Sequence, residues 1–164
     1  MPRHIVSFIV EDKPGVLFKV SNLFRRRGYN IHGITVGNTE EIGLSRMTVT
    51  VDADSKILNQ IVEQLDKMVD VIKVKRLDPE RTITREMVMI KLHTPTPAAR
   101  IDALDHINTY HGLILDIEPE SLVAEVTGDP TTIDEFIEKV REIGIEEMSR
   151  TGGTALERGK FKLK

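Results

Sequence analysis

A chain of 164 residues, 40% apolar and 30% charged, has the length of one medium domain or two small ones. A formal net charge of −3 and only 4% aromatic residues make it a poor match for a nucleic-acid or anionic-membrane binder. With no cysteine, it has no disulfide, thiolate metal site or cysteine nucleophile.

The elements follow from apolar periodicity. His4–Val10 is rich in β-branched residues and reads as a strand. Glu11-Asp12-Lys13-Pro14-Gly15 is a polar turn, and a helix follows over about Gly15–Arg26, with Val16, Leu17, Val20, Leu23 and Phe24 on one face. Arg25, Arg26 and Arg27 suit the negative end of its dipole, and Gly28 ends it. Asn30–Val36 is the second strand, Gly37–Gly43 a polar loop, and Leu44–Val51 the third strand, with Met47, Val49 and Val51 on one face. Asp52 to Ser55 open a second helix that turns Ile57, Leu58, Ile61, Val62 and Leu65 inward, and Val69–Lys75 is the fourth strand. After the polar linker Leu77–Arg81 the order repeats. Glu86–Thr94 is a strand, Pro97–Tyr110 a helix, Gly112–Glu118 and Ser121–Thr127 a strand pair, Thr131–Glu142 a helix and Ile145–Ser149 a short strand. The fold class is therefore α+β, with two ferredoxin-like βαββαβ modules, 1–78 and 79–164. The tail Gly152–Lys164, rich in glycine and charge, reads as surface or loose.

A module of this size is marginal alone. One face of its first sheet is covered by helices, and the other also carries apolar residues, so self-association is expected. No apolar run approaches the roughly 18 residues of a membrane-spanning helix. Glu11 and Asp12 interrupt any signal-peptide core, and the expected location is the cytoplasm.

No catalytic constellation stands out. The chain has no GxGxxG, GxxxxGK[ST] or GxSxG motif. His106 and His111, five apart across a helix end, are the only close histidine pair, and no metal site is expected from His4, His32, His93, His106 and His111. Asp52 and Asp54 read as cap and first-turn charge, and Asp66, Asp70 and Asp78 as solvent-side. Asp12 in the first turn has two readings. As the N-cap of the helix it is purely structural. Alternatively, the free N–H groups of that helix start hold a small anion or zwitterion. Asn30 then joins only across a dimer, because the two turns lie at opposite ends of a split βαβ sheet. The basic runs Arg25–Arg27 and Lys73/Lys75/Arg76 read either as a solvated face or as a contact for an acidic partner. Gly152-Gly153-Thr154, flanked by Arg150 and Arg158, reads as a flexible tail or as a phosphate or partner contact.

Taken together, these residues carry a resemblance. Val10-Glu11-Asp12-Lys13-Pro14-Gly15-Val16-Leu17 looks like the opening of an ACT domain, a small amino-acid-sensing module. The ordered set extends through Phe24–Ile31, Thr35-Val36-Gly37, Leu44–Thr48, the IVEQLDKMVDVIKV segment ending at Val74, Arg85-Glu86, Val126-Thr127-Gly128, Ile133–Phe136, Gly144-Ile145, Glu147, Arg150-Thr151-Gly152, Ala155-Leu156 and Arg158-Gly159. It resembles the regulatory small subunits of acetolactate synthase. The resemblance implies a chain with no catalysis of its own that dimerises through its ACT domains. Such a chain activates a large catalytic subunit holding thiamine diphosphate, Mg2+ and FAD, and makes it sensitive to valine. The family's effector contacts carry over to Asp12, Gly15, Val16 and Leu17 of one chain and Asn30 and Ile31 of the other. Many valine-sensitive members have Asn at the position of Asp12, and some have Ala at that of Gly37. The alternative is a free-standing ACT-type amino-acid sensor without a catalytic partner.

Overall fold

A computed structural model describes residues 3–163, which divide into two compact units. One contains residues 3–83 together with 153–163; the other contains residues 84–152.

The first unit opens with β1 (Arg3–Glu11), α1 (Val16–Arg27), β2 (Ile31–Asn38), β3 (Leu44–Asp52), α2 (Ser55–Asp66) and β4 (Val71–Arg76). Its antiparallel sheet has the order β2-β3-β1-β4. Alternation along the strands sends Val6, Phe8 and Val10 of β1 and Met47, Val49 and Val51 of β3 to the helical face. There they bury against Val16, Val20 and Phe24 of α1 and Leu58, Ile61 and Leu65 of α2. Each such aliphatic or aromatic side chain withdraws roughly 1.5–3 kcal/mol worth of apolar surface from water. Helix α2 begins as its sequence demands, with the Asp54 carboxylate accepting from the Ile57 N–H at 2.8 Å. Asp52, by contrast, is no cap. It pairs with His32 and lies 3.7 Å from the Arg3 guanidinium.

The second unit contains most of β5 (Thr82–His93), then α3 (Pro97–Thr109), β6 (Leu113–Glu118), β7 (Ser121–Gly128), α4 (Pro130–Val140) and β8 (Ile145–Arg150). The strand order β6-β7-β5-β8 repeats that of the first sheet. Its core joins Val88, Ile90 and Leu92 to Ile107, Ile133, Phe136 and Val140. Both helices start on a side-chain cap with proline in the first turn: Thr96 accepts from the Ala99 N–H, and Asp129 from the Thr132 N–H. No described helix is long and apolar enough to cross a membrane.

The tail departs from its sequence reading. It forms β9 (Thr154–Glu157) and belongs to the first unit rather than to a second module, and the Arg158 N–H just after it donates to Arg81 O at 2.7 Å. Thr35 Oγ1 donates to Gly153 O at 3.0 Å, Arg46 Nη2 donates to Ala155 O at 2.9 Å, and Lys75 Nζ pairs with Glu157 at 2.5 Å. Those three anchors sit on β2, β3 and β4 and share the sheet face opposite the helices. The tail thus runs across the strands. Four extended residues reach about 13 Å and three strand spacings need about 14 Å, so each alternate tail residue meets a new strand. Ile9, Leu77, Ala155 and Leu163 are each only 3% exposed, and Phe161 lies 4.3 Å from the Arg81 guanidinium. The second face of the sheet, expected to seek another chain, is covered in part by this chain's own C-terminus.

Candidate functional site

The turn from β1 into α1 is held on three sides. The Glu11 N–H donates to Asp70 O at 2.9 Å, the Asp12 N–H to Gly43 O at 2.8 Å, and the Lys13 ammonium pairs with Glu11 at 2.6 Å. That Glu11 carboxylate raises the Lys13 pKa from its ordinary value. Asp70 is not solvent-side. It is buried and pairs with Lys19 of α1 at 2.6 Å, tying the helix to the segment before β4.

Asp12 does not cap α1. The N-cap is Gly15, at φ 88°, and it makes no side-chain hydrogen bond. That left-handed conformation suits glycine and strains any residue with a Cβ. An N-cap without a side chain leaves the first helical N–H groups short of the usual oxygen acceptor. Asp12 is exposed and makes no capping hydrogen bond to the helix. Val16 is buried in the core, and its N–H donates to Lys13 O at 3.4 Å. Leu17 is 50% exposed beside it. The arrangement offers N–H donors and helix dipole for a carboxylate and an apolar surface for a short side chain.

Asn30 and Ile31 occupy a different place. Gly28, at φ 66°, ends α1 by donating to Arg25 O and Phe24 O. Tyr29 packs edge-on to Phe24 with ring centroids 6.3 Å apart, and its hydroxyl meets Gln60 at 3.2 Å. This fixes the chain entering β2. Asn30 is exposed, whereas Ile31 is partly buried against the core. In register, Glu11 faces Leu44 and Ile31 faces Val51, at opposite ends of β3. At about 3.3 Å per residue the two groups are more than 20 Å apart. The structure therefore unites Asp12, Gly15, Val16 and Leu17, and separately Asn30 and Ile31, but not the two sets.

Sequence reasoning missed the roles of Asp70, Lys19 and the Gly43 carbonyl around the turn. The sequence reading sets Asp70 on the solvent side of a strand beginning at Val69, which gives no hint of its pair with Lys19. It also missed Arg46, whose guanidinium pKa is lowered by burial, with Glu157 and Glu40 acting in the opposite direction. Among the described residues no cluster of three or more histidine or acidic side chains could hold a metal ion.

A βαββαβ unit with a glycine-capped first helix, and an apolar, donor-bearing turn in front of it, is the architecture of an ACT-type binding module. Residues 6–73 match the model of the AHAS small subunit-like ACT domain, and residues 85–159 that of the small subunit of acetolactate synthase. The chain is 48% identical over 156 residues to the "probable acetolactate synthase small subunit" of Methanothermobacter thermautotrophicus, covering 95% of this chain and 93% of that one. It is 38% identical to the acetolactate synthase small subunit of Aquifex aeolicus, over 95% and 81% of the two chains. The crystal structure of the acetolactate synthase small subunit from Thermotoga maritima superposes with a TM-score of 0.90 at 39% identity, covering 98% of this chain and all of that one. The chain belongs to the family of acetolactate synthase small subunits.

Proposed function

We propose that this chain is a non-catalytic regulatory subunit. It dimerises through its ACT unit and binds a branched-chain amino acid, valine by expectation, in pockets completed across that dimer. It activates the large catalytic subunit, which condenses two pyruvates to 2-acetolactate and CO2. Thiamine diphosphate, Mg2+ and FAD belong to that large subunit, and this chain holds none of them.

The observation that carries this reading is the separation of the half-sites. β1 and β2 are both antiparallel to β3, so they run the same way, and β2 is an edge strand. Two copies joined β2 to β2 about a twofold axis run antiparallel. That operation sets the Asp12–Leu17 end of one copy beside the Asn30–Ile31 end of the other. The helix-start N–H groups then hold the effector carboxylate, Leu17 flanks its side chain, and the partner's Asn30 clamps its polar end. Ligand occupancy is thereby coupled to the arrangement of two chains, which is what regulation by an amino acid needs.

Steady-state acetolactate synthesis by the catalytic subunit tests the reading, measured alone, with this chain, and with this chain plus valine. Activity should rise on adding the chain and fall with valine only when the chain is present. Valine binding without any activation would instead identify a free-standing sensor, and neither effect would overturn both readings.

A further inference from the structure

We propose that the groove between α1 and α2 docks an acidic segment of the large catalytic subunit that bears exposed apolar side chains. This rests on the regulatory reading above. The groove encloses about 470 Å³ and is lined by Phe18, Leu23 and Met68 together with Arg26, Arg27 and Lys67. No carboxylate lines it. Phe18 is 72% exposed, and Val69, next to Met68 in the chain, is 92% exposed. These apolar groups face water in the single chain.

The cations are as unusual as the apolar groups. Lys19, also at the groove, is engaged by Asp70, but among the described residues Arg26, Arg27 and Lys67 have no ion pair. The chain as a whole is acidic, with 26 carboxylates against 23 lysines and arginines, so an acid-free basic groove is not a consequence of composition. Nor does the α1 dipole account for it. Basic side chains in a last turn serve the dipole whatever their direction. Successive helical residues point about 100° apart, and only Arg26 and Arg27 of the three consecutive arginines line the groove. Lys67, which follows α2, adds a third charge from the other wall. Unpaired cations around an apolar floor complement a segment of opposite charge with apolar side chains, and they steer its approach.

The test uses the full chain and the immobilised catalytic subunit. For the Arg26→Glu/Arg27→Glu double variant the dissociation constant should rise roughly tenfold or more, and its dependence on salt should flatten. Phe18→Ser should weaken association through the apolar floor. Arg25→Glu lies in the same helical turn but outside the groove, and should stay within about twofold of wild type. Melting curves and valine affinity, both unchanged, show that the variants keep their fold. The proposal is overturned if the double variant binds like wild type, or if Arg25→Glu weakens binding as much, since the effect would then be diffuse charge. If the wild-type chain does not bind the catalytic subunit at all, the regulatory reading fails and the groove's role fails with it.

Discussion

Deleting residues 153–164 should destabilise the ACT unit, although the deletion lies about 80 residues beyond its last strand, β4. Ile9 and Leu77 are 3% exposed, and the tail supplies Ala155 and Leu163, likewise 3% exposed, to the same face. Full burial of one aliphatic side chain contributes roughly 1.5–3 kcal/mol. The sheet still shields part of Ile9 and Leu77, so their uncovering costs about 2–3 kcal/mol together. Losing the acceptors of Thr35 and Arg46 adds about 1–2 kcal/mol. Glu157 leaves with the tail, and Lys75, freed to water, adds little. The sum, about 3–5 kcal/mol, is a large part of the 5–15 kcal/mol that a domain usually has. For a unit of this size the melting transition should fall by at least about 12 °C. Differential scanning calorimetry of the full and shortened chains measures it, with hydrogen exchange on β1 and β3 assigning the transition to the first unit. A shift under about 3 °C would refute the claim that the tail completes this fold. A chain ending in the linker at 78–81 meets the same loss, so cutting between modules is not the neutral operation the linker suggests.

Other consequences are sharper still. Since Asp12 does not cap α1, Asp12→Asn should leave stability within a few tenths of a kcal/mol. It should strengthen valine binding by removing a negative charge near the effector carboxylate, and calorimetric titration showing weaker binding would count against that placement. Asn30→Ala should lower valine affinity roughly tenfold or more through loss of one hydrogen bond to a charged group. Unchanged affinity would remove Asn30 from the pocket. His4 is held below its ordinary pKa of 6.5 by burial and by Arg76, with the backbone of Ala53 acting in the opposite direction. The folded state therefore favours neutral His4, whose contribution is complete above about pH 6.5 and is lost as pH falls through the depressed value. Urea midpoints at pH 7.5 and 5.5 should differ less in His4→Phe than in wild type, and equal differences would show that His4 does not carry the effect.

Much of the fold was legible because its periods are clean. Met47, Val49 and Val51 alternate inward as expected, and Val16, Val20 and Phe24 form the helical stripe. The tail was not legible, because its strand is only four residues and its buried anchors, Ala155 and Leu163, are isolated among charges and glycines. The signal that it existed lay elsewhere. β1 is buried on both faces, Ser7 and Ile9 as well as Val6 and Phe8, so something had to cover the second face. Sequence cannot say whether that cover is a second chain or a distant part of the same one. The N-cap was misread for a related reason. Asp12 is a good capping residue, but it stands three positions before the N-cap, and the backbone at Gly15 takes the left-handed turn that a side-chain cap would not require. The buried Asp70–Lys19 pair joins residues 51 apart in sequence, a separation that no local pattern records. The opposition of the two half-sites, by contrast, follows from topology alone, and the strand register agrees with it.

Complementation between two defective chains tests that arrangement most directly. Leu17→Glu places a carboxylate at the helix start, where it suits the dipole but repels the effector, and Asn30→Ala removes the clamp. Each homodimer should bind valine poorly, because every pocket carries one defect. In a mixed dimer both defects fall in one pocket and the other is intact. An equimolar mixture should therefore recover high-affinity valine binding in about a quarter of all pockets. A mixture that binds no better than its two components would contradict a pocket shared between chains.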